Sequence, residues 1–462
     1  MSQTARQLIA QAKAEKWTRL DLGNCGLTDL ATQVPELFTL TDLEELVLSN
    51  EWGEWNGAEQ EWEVKWSSNN GTPNKIDRLP EALGKLRKLR VFICGGWWKE
   101  YWEINDISSL SGLPALTTLN LSFNQLTDVS ALSNLAALTT LKLQNNKLTD
   151  VSALSSLPAL TSLDLQGNQL TDVSGLSNLA ALTTLNLGNN QLTDISPLSG
   201  LTVLTTLWLY ENRITDVSGL RSLMALTTLD LHKNQLTDVS PLSGLTALTT
   251  LDLESNQLTD VSPLSGLTAL TTLWLGFNQL TDVLPLSGLT ALTELGLDYN
   301  RLTDISPLSG LSALTTLYLN RNKFTDVSDL SELIALTTLN LGANQLSDIS
   351  PLSGLIALTT LDLYENQLTD VSPLSGLTNL EELYLNNNQL TDISPLSGLS
   401  ALTTLNLNSN QLTDVLPSSG LTGLTNLYLW SNQLTDISSL SGLSALTTLN
   451  LNSNQLSKSK RS

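Results

Sequence analysis

Residues 182–203 read Leu-Thr-Thr-Leu-Asn-Leu-Gly-Asn-Asn-Gln-Leu-Thr-Asp-Ile-Ser-Pro-Leu-Ser-Gly-Leu-Thr-Val, and Leu204 starts the same pattern again. From Leu116 onward the chain repeats Leu-x-x-Leu-x-Leu-x-x-Asn-x-Leu, followed by Thr-Asp-Val/Ile-Ser-Pro-Leu-Ser-Gly-Leu. The asparagine falls at 124, 146, 168 and every 22 residues thereafter to 454, sixteen positions without an insertion. A register held over that distance makes one repetitive array. It displaces the reading of about three ordinary domains, at roughly 150 residues each, that length alone gives.

Each column has a physical role. In Leu116-Thr117-Thr118-Leu119-Asn120-Leu121, leucines 119 and 121 alternate as the inward face of a strand. Parallel strands stacked at about 4.8 Å extend sixteen rungs over roughly 75 Å. Asn124 and its equivalents turn the chain out of the strand, and their buried amides are expected to bond main-chain groups of neighbouring coils. Ser196-Pro197 and Ser240-Pro241 match an N-cap followed by a first helical position. Gly200 and Gly244 then leave space for one short turn, a 3₁₀ segment. Every leucine column needs its neighbours for burial, so the array folds as one cooperative solenoid.

A period of 20–29 residues with this pattern is the leucine-rich-repeat signature. Asn190-Gln191-Leu192-Thr193-Asp194-Ile195-Ser196-Pro197-Leu198 resembles the 22-residue repeats of bacterial internalins and the related phosphatase-regulator repeats, over residues 105–456. The resemblance implies an α/β solenoid, a right-handed superhelix with a concave parallel β-sheet and short 3₁₀ or irregular convex segments. It also implies that the concave sheet binds proteins. The expected divisions are an N-terminal helical cap at 1–16, irregular coils at 17–104, regular coils at 105–456 and a basic tail at 457–462. Leu8, Ile9 and Ala12 share one helical face of the cap. Secreted internalins carry a signal peptide, and residues 1–17 hold no apolar run of that length, so the cytoplasm is the expected compartment. No stretch of about 18 apolar residues spans a membrane.

Composition narrows the function classes. The 45 acidic and 23 basic residues give a net charge of −22, which disfavours nucleic acid and anionic membranes as partners. One His and two Cys are too few for a zinc array or a disulfide framework. Fifteen of the acids form a ladder from Asp128 to Asp436. One carboxylate per coil makes a poor calcium cage, so each is expected to accept N–H bonds in its own turn. No metal, cofactor or catalytic residue is expected. His232 has no evident nucleophile to serve, and a pair such as Asp230 and Asp252 has no deep pocket around it.

The N-terminal coils are less regular. Leu20-Asp21-Leu22-Gly23-Asn24-Cys25-Gly26-Leu27 places Cys25 in the asparagine column, and Cys94 takes a leucine column. Both thiols are expected to be buried and inert. Residues 74–89, together with the opening from Gln7 to Leu22, resemble the repeats that precede the GTPase of bacterial Roco proteins, although no phosphate-binding Gly-x-x-x-x-Gly-Lys-Ser/Thr loop occurs. Insertions at about 51–73 and 97–101 hold Trp52, Trp55, Trp62, Trp66, Trp97, Trp98 and Tyr101, with Trp102 beside them. These rings either seal the N-terminal coils by packing or form a rim, flanked by Glu51, Glu54, Glu61 and Glu63, for a cationic or apolar partner.

Counted from the first leucine of a coil, the third, fifth, seventh, eighth and tenth residues cannot point inward and are free to vary. Eleven of the twelve aromatics after residue 102 occupy those columns, and only Phe324 replaces a core leucine. Rings concentrated on one face mark an interaction surface. The richest patch comprises Trp208, Tyr210, Glu211, Arg213, Asp230, Asp252, Trp274, Phe277, Asp298, Tyr299, Arg301 and Tyr318, with Trp208, Asp230, Asp252 and Trp274 expected in one line. It predicts a non-catalytic scaffold for a protein or peptide with apolar anchors and basic character. The alternatives are a detached sensor arm of a Roco-like protein, a surface adhesin and a carbohydrate-binding module. In the last coil Leu446, Leu449 and Leu451 lack a following coil to cover them, which predicts either a product shortened from a longer signalling protein or an end-to-end homodimer through that uncapped C-terminal coil.

Overall fold

The computed structural model describes residues 3–56, 61–97, 101–415 and 420–456, with the backbone alone at 53–56 and 61–63. It comprises two compact units, Met1–Asn234 and Gln235–Ser462. In the first unit the helix Gln3–Glu15 buries Ala5, Ile9 and Ala12, with Leu8 half-buried at the edge of that face. Nine parallel three-residue strands follow, from Arg19–Asp21 to Thr228–Asp230. The second unit holds ten, from Thr250–Asp252 to Thr448–Asn450. Pairing is unshifted, so Leu207 lies opposite Leu185 on one side and Leu229 on the other. All three leucines are fully buried. Each such side chain contributes roughly 1.5–3 kcal/mol.

The buried asparagine ties one coil to the one before it. Asn344 Nδ2 donates to Leu341 O in its own coil at 3.0 Å and to Leu319 O of the preceding coil at 3.1 Å. Its Oδ1 accepts from Phe324 N at 3.1 Å. The same three bonds recur along each unit, for example at Asn190 and Asn410. One amide thereby satisfies main-chain groups that water cannot reach.

Two local readings need correction. Ser196 is the first residue of its 3₁₀ turn, Ser196–Gly200, and the N-cap position belongs to Ile195, which makes no side-chain cap bond. The cap is supplied from one residue further back, where Asp194 Oδ1 accepts from Ser196 N at 2.8 Å. In Asp172 both oxygens are engaged, by Ser174 N and Ser174 Oγ. The aspartate ladder is therefore a ladder of turn caps. The eighth column, read as free to vary, is conformationally fixed. Its residue has positive φ in all sixteen regular coils, from Phe123 (54°) through Gly167 (65°) to Ser453 (58°). The main-chain ladder runs through this residue, since Ser409 N donates to Trp430 O at 2.7 Å. No Val, Ile or Thr occupies the column, because a branched Cβ is the group least tolerated there.

The irregular coils follow the same logic. Asn74 completes the coil begun at Leu43: its Nδ2 donates to Leu22 O and Leu48 O, and its Oδ1 accepts from Cys25 N and Leu27 N. Between Leu48 and Asn74 the strands Glu51–Asn56 and Glu61–Trp66 pair antiparallel, placing Trp55 opposite Trp62. In the next coil Trp102 stands where the asparagine would be. It is fully buried, and its Nε1 and the Oδ1 of the following asparagine, Asn124, are both without a partner. The ladder is interrupted at that coil.

These features give two stability predictions. Asn344→Ala orphans three buried main-chain groups and should cost about 3 kcal/mol in urea unfolding, with a cost below 1 kcal/mol contradicting the ladder's role. Ser409→Gly should stabilise by about 0.5–1 kcal/mol and Ser409→Val destabilise by about 1–2 kcal/mol, an ordering that an extended backbone at this residue would reverse.

Candidate partner-binding face

Each rung turns the third and fifth side chains of its coil outward, the seventh follows just past the strand, and the left-handed eighth residue comes next. In the first unit the fifth column runs Lys142, Asp164, Asn186, Trp208 and Asp230 on successive paired strands. Tyr210 lies over Gly188 of the preceding coil, where a Cβ would collide with its ring. On its other side Tyr210 stacks on His232, with centroids 4.9 Å apart and planes 3° from parallel. His232 Nδ1 lies 2.7 Å from Asp230 Oδ1, an arrangement that fixes the ring orientation. The histidine is thus a packed member of the face. Glu211 pairs with Lys233 at 2.6 Å across adjacent coils.

In the second unit Asp252 pairs with Trp274, Trp274 with Gly296 and Gly296 with Tyr318. The Trp274 ring leans over Gly296, in the space a Cβ would fill, and meets Tyr318 with centroids 5.7 Å apart. In the eighth column Phe277 and Tyr299 stack at 3.8 Å and 14°, at 43 % and 38 % exposure. Arg321 places its guanidinium 5.1 Å from the Tyr299 centroid and 3.9 Å from Glu365. Tyr364 repeats the glycine device by lying over Gly342. Arg213 and Arg301, in the tenth column, are exposed and make no ion pair among the described residues. Sequence reasoning missed Arg321 and the glycine partners. The available signal was a glycine in an outward column one rung away from an aromatic.

The rings of the two insertions divide between packing and exposure. Trp52 is buried in a small core with Val47 and Ile93, and Trp102 is buried within its coil. Neither belongs to an exposed rim. Trp66 is 67 % and Tyr101 46 % exposed, whereas Trp97 and Tyr101 pack on Phe123 and bury that ring. Trp98 lies outside the described residues, and Trp55 and Trp62 are described by their backbone pairing. Phe123 occupies an outward column yet is covered. Cys25 and Cys94 are buried free thiols, and burial pushes Cys25 up to about 11. No described helix is long and apolar enough to cross a membrane.

Parallel three-residue rungs, a bridging asparagine in each regular coil and a one-turn 3₁₀ return define a leucine-rich-repeat solenoid. The chain belongs to the leucine-rich-repeat family and carries internalin-like repeats. The model described as Leucine Rich repeats (2 copies) matches in nine segments between 158 and 460, and a second, Leucine rich repeat, matches 114–170. An internalin of Listeria monocytogenes is 37 % identical, with 67 % of this chain and 91 % of that chain covered and a TM-score of 0.63. A leucine-rich-repeat protein of Leptospira interrogans is 29 % identical over 72 % of this chain and 88 % of that chain, with a TM-score of 0.68. The solved PEPR1–AtPEP1 structure is 26 % identical over 90 % of this chain and 62 % of that chain, with a TM-score of 0.63. No curated protein matches the chain.

Several acids on the face are held against their preference for water. Burial raises Asp164, Asp298 and Asp362 to about 6. Asp164 Oδ2 has no hydrogen-bond partner. A carboxylate with a raised folded pKa costs stability at neutral pH, and the cost disappears as pH falls through 6 toward the unfolded value near 4. The turn aspartates, lowered by bonds from the following serine, act oppositely and withdraw stability below that range. Asp164→Asn should therefore be more stable than wild type by about 2 kcal/mol at pH 7.5, the gap closing by about pH 4. Equal stability of the two proteins at pH 7.5 would refute the assignment.

Proposed function

We propose that this protein is a non-catalytic binding module that holds a protein or peptide segment against the outward face of its sheet, with apolar anchors and a basic centre in the partner. One observation carries the reading. Trp274, seated over Gly296 and meeting Tyr318, and separately Tyr210, seated over Gly188, stand on outward columns, partly exposed and fixed by their neighbours. Rings ordered before binding lose little entropy on contact, and Trp and Tyr dominate the affinity of interfaces. Asp230 in the first unit, and Asp252 and Asp298 in the second, favour a basic partner. The rim is less favoured, because Trp52 and Trp102 are committed to the interior.

Affinity capture from the native cell lysate tests the proposal with two baits beside wild type. One carries Trp208→Ala, Trp274→Ala and Tyr318→Ala, and the other Trp66→Ala and Tyr101→Ala. A partner bound by wild type should lose at least about 30-fold in affinity with the triple variant, the equivalent of one hot spot. The double variant should bind like wild type. Loss with the double variant and retention by the triple would move the site to the rim. The partly exposed Leu446, Leu449 and Leu451 of the last described coil support end-to-end dimerisation as a separate proposal, which sedimentation across a concentration series decides.

A further inference from the structure

Within the second unit, Asp298 occupies a particular place on the face. Its carboxylate lies back over Gly276, where a Cβ would come within 2.7 Å of Oδ1. The fifth column beside it carries the Trp274–Tyr318 pair, and the eighth column carries the Phe277–Tyr299 stack. Two aromatic pairs thus flank one acid, and both glycine gaps are needed for the arrangement: Gly276 seats the carboxylate and Gly296 lets Trp274 reach Tyr318. Among the described residues no cation pairs with Asp298, and Glu254 stands near enough to add to its negative field. A partly desolvated carboxylate without a counter-charge is costly to keep. The chain already displays the complementary contact, since Arg321 covers Tyr299 while Phe277 stays open.

We infer that the Asp298 notch receives a lysine or arginine side chain of the bound segment, its charge on the carboxylate and its stem or guanidinium plane along the flanking rings. The inference rests on the face reading above and supplies its specificity. A planar guanidinium serves the site best, because it stacks on rings and bonds a carboxylate at the same time. An ammonium gains the charge term with less stacking. A neutral side chain of equal shape leaves the acid unpaired. Binding therefore discriminates by charge, while Trp274 and Tyr318 supply the contact area.

The test uses the full chain and two small probes of matched shape, N-acetyl-arginine methylamide and its uncharged analogue N-acetyl-citrulline methylamide. The indole N–H signal of Trp274, assigned with W274F, reports occupancy by NMR. Arginine should saturate that signal at about tenfold lower concentration than citrulline. Asp298→Asn should erase the preference while raising the melting temperature, so that lost binding and lost folding move in opposite directions. Equal response to the two probes in wild type, or an undiminished preference in D298N, overturns the notch. The two readings fail separately. A captured partner that D298N holds as tightly as wild type, and that the triple variant releases, leaves the face in place and removes the notch.

Discussion

The buried asparagine amide is the constraint on which the rest of the structure depends. A coil of 22 residues contains more main-chain donors and acceptors than a three-residue rung can pair. The amide takes up two carbonyls and one N–H that would otherwise be sealed away from water, as Asn344 does for Leu341, Leu319 and Phe324. Because one carbonyl and the N–H belong to the preceding coil, an insertion between the strand and the asparagine keeps the bridge only where it returns the asparagine to the same place. The regular coils meet that demand with one length, and the two coils with insertions differ in whether they meet it. Asn74 does so at the end of a long hairpin excursion. Trp102 does not, and two polar atoms are left unpaired there.

Strict coil length also disciplines the outward face. With the inward columns fixed as leucine and the turn fixed by Asp and Ser, chemical variety is confined to a few columns, one of which is left-handed. Neighbouring coils then present these columns in register, so an interaction between rungs is set by a pair of residues 22 apart. Trp274 with Gly296, and Tyr210 with Gly188, are such pairs. The face carries a cost in return. Asp164, Asp298 and Asp362 are acids that the fold holds partly out of water. The fully buried leucine columns supply the stability against which that cost is set.

Much of this was legible in the sequence because the period carries it. Leucine burial, strand register, the single-turn return and the asparagine's reach to its neighbour all follow from columns that recur unchanged. What escaped has a common cause: contacts that occur once, between two particular coils or within an insertion, do not recur down a column. The stretches Glu51–Asn56 and Glu61–Trp66 pair with each other rather than with the array, so the repeat says nothing about them. Trp52 and Trp102 fitted either packing or a rim in the sequence, and only the fold shows that each takes an interior place beside its own coil. The eighth column was judged free because its residues vary. What they share is a backbone conformation, detectable only as the absence of Val, Ile and Thr.

The central claim is that a partner lies on the outward face of the rungs, and hydrogen–deuterium exchange with the captured partner bound tests it most directly. The account predicts slowed exchange at the eighth-column amides and the rung edges around 206–211, 272–277, 294–299 and 316–321. It predicts unchanged exchange in the 3₁₀ returns such as Ser196–Gly200 and in the Glu51–Trp66 hairpin. Protection confined to the hairpin or to the returns, with the rungs unaffected, would contradict it.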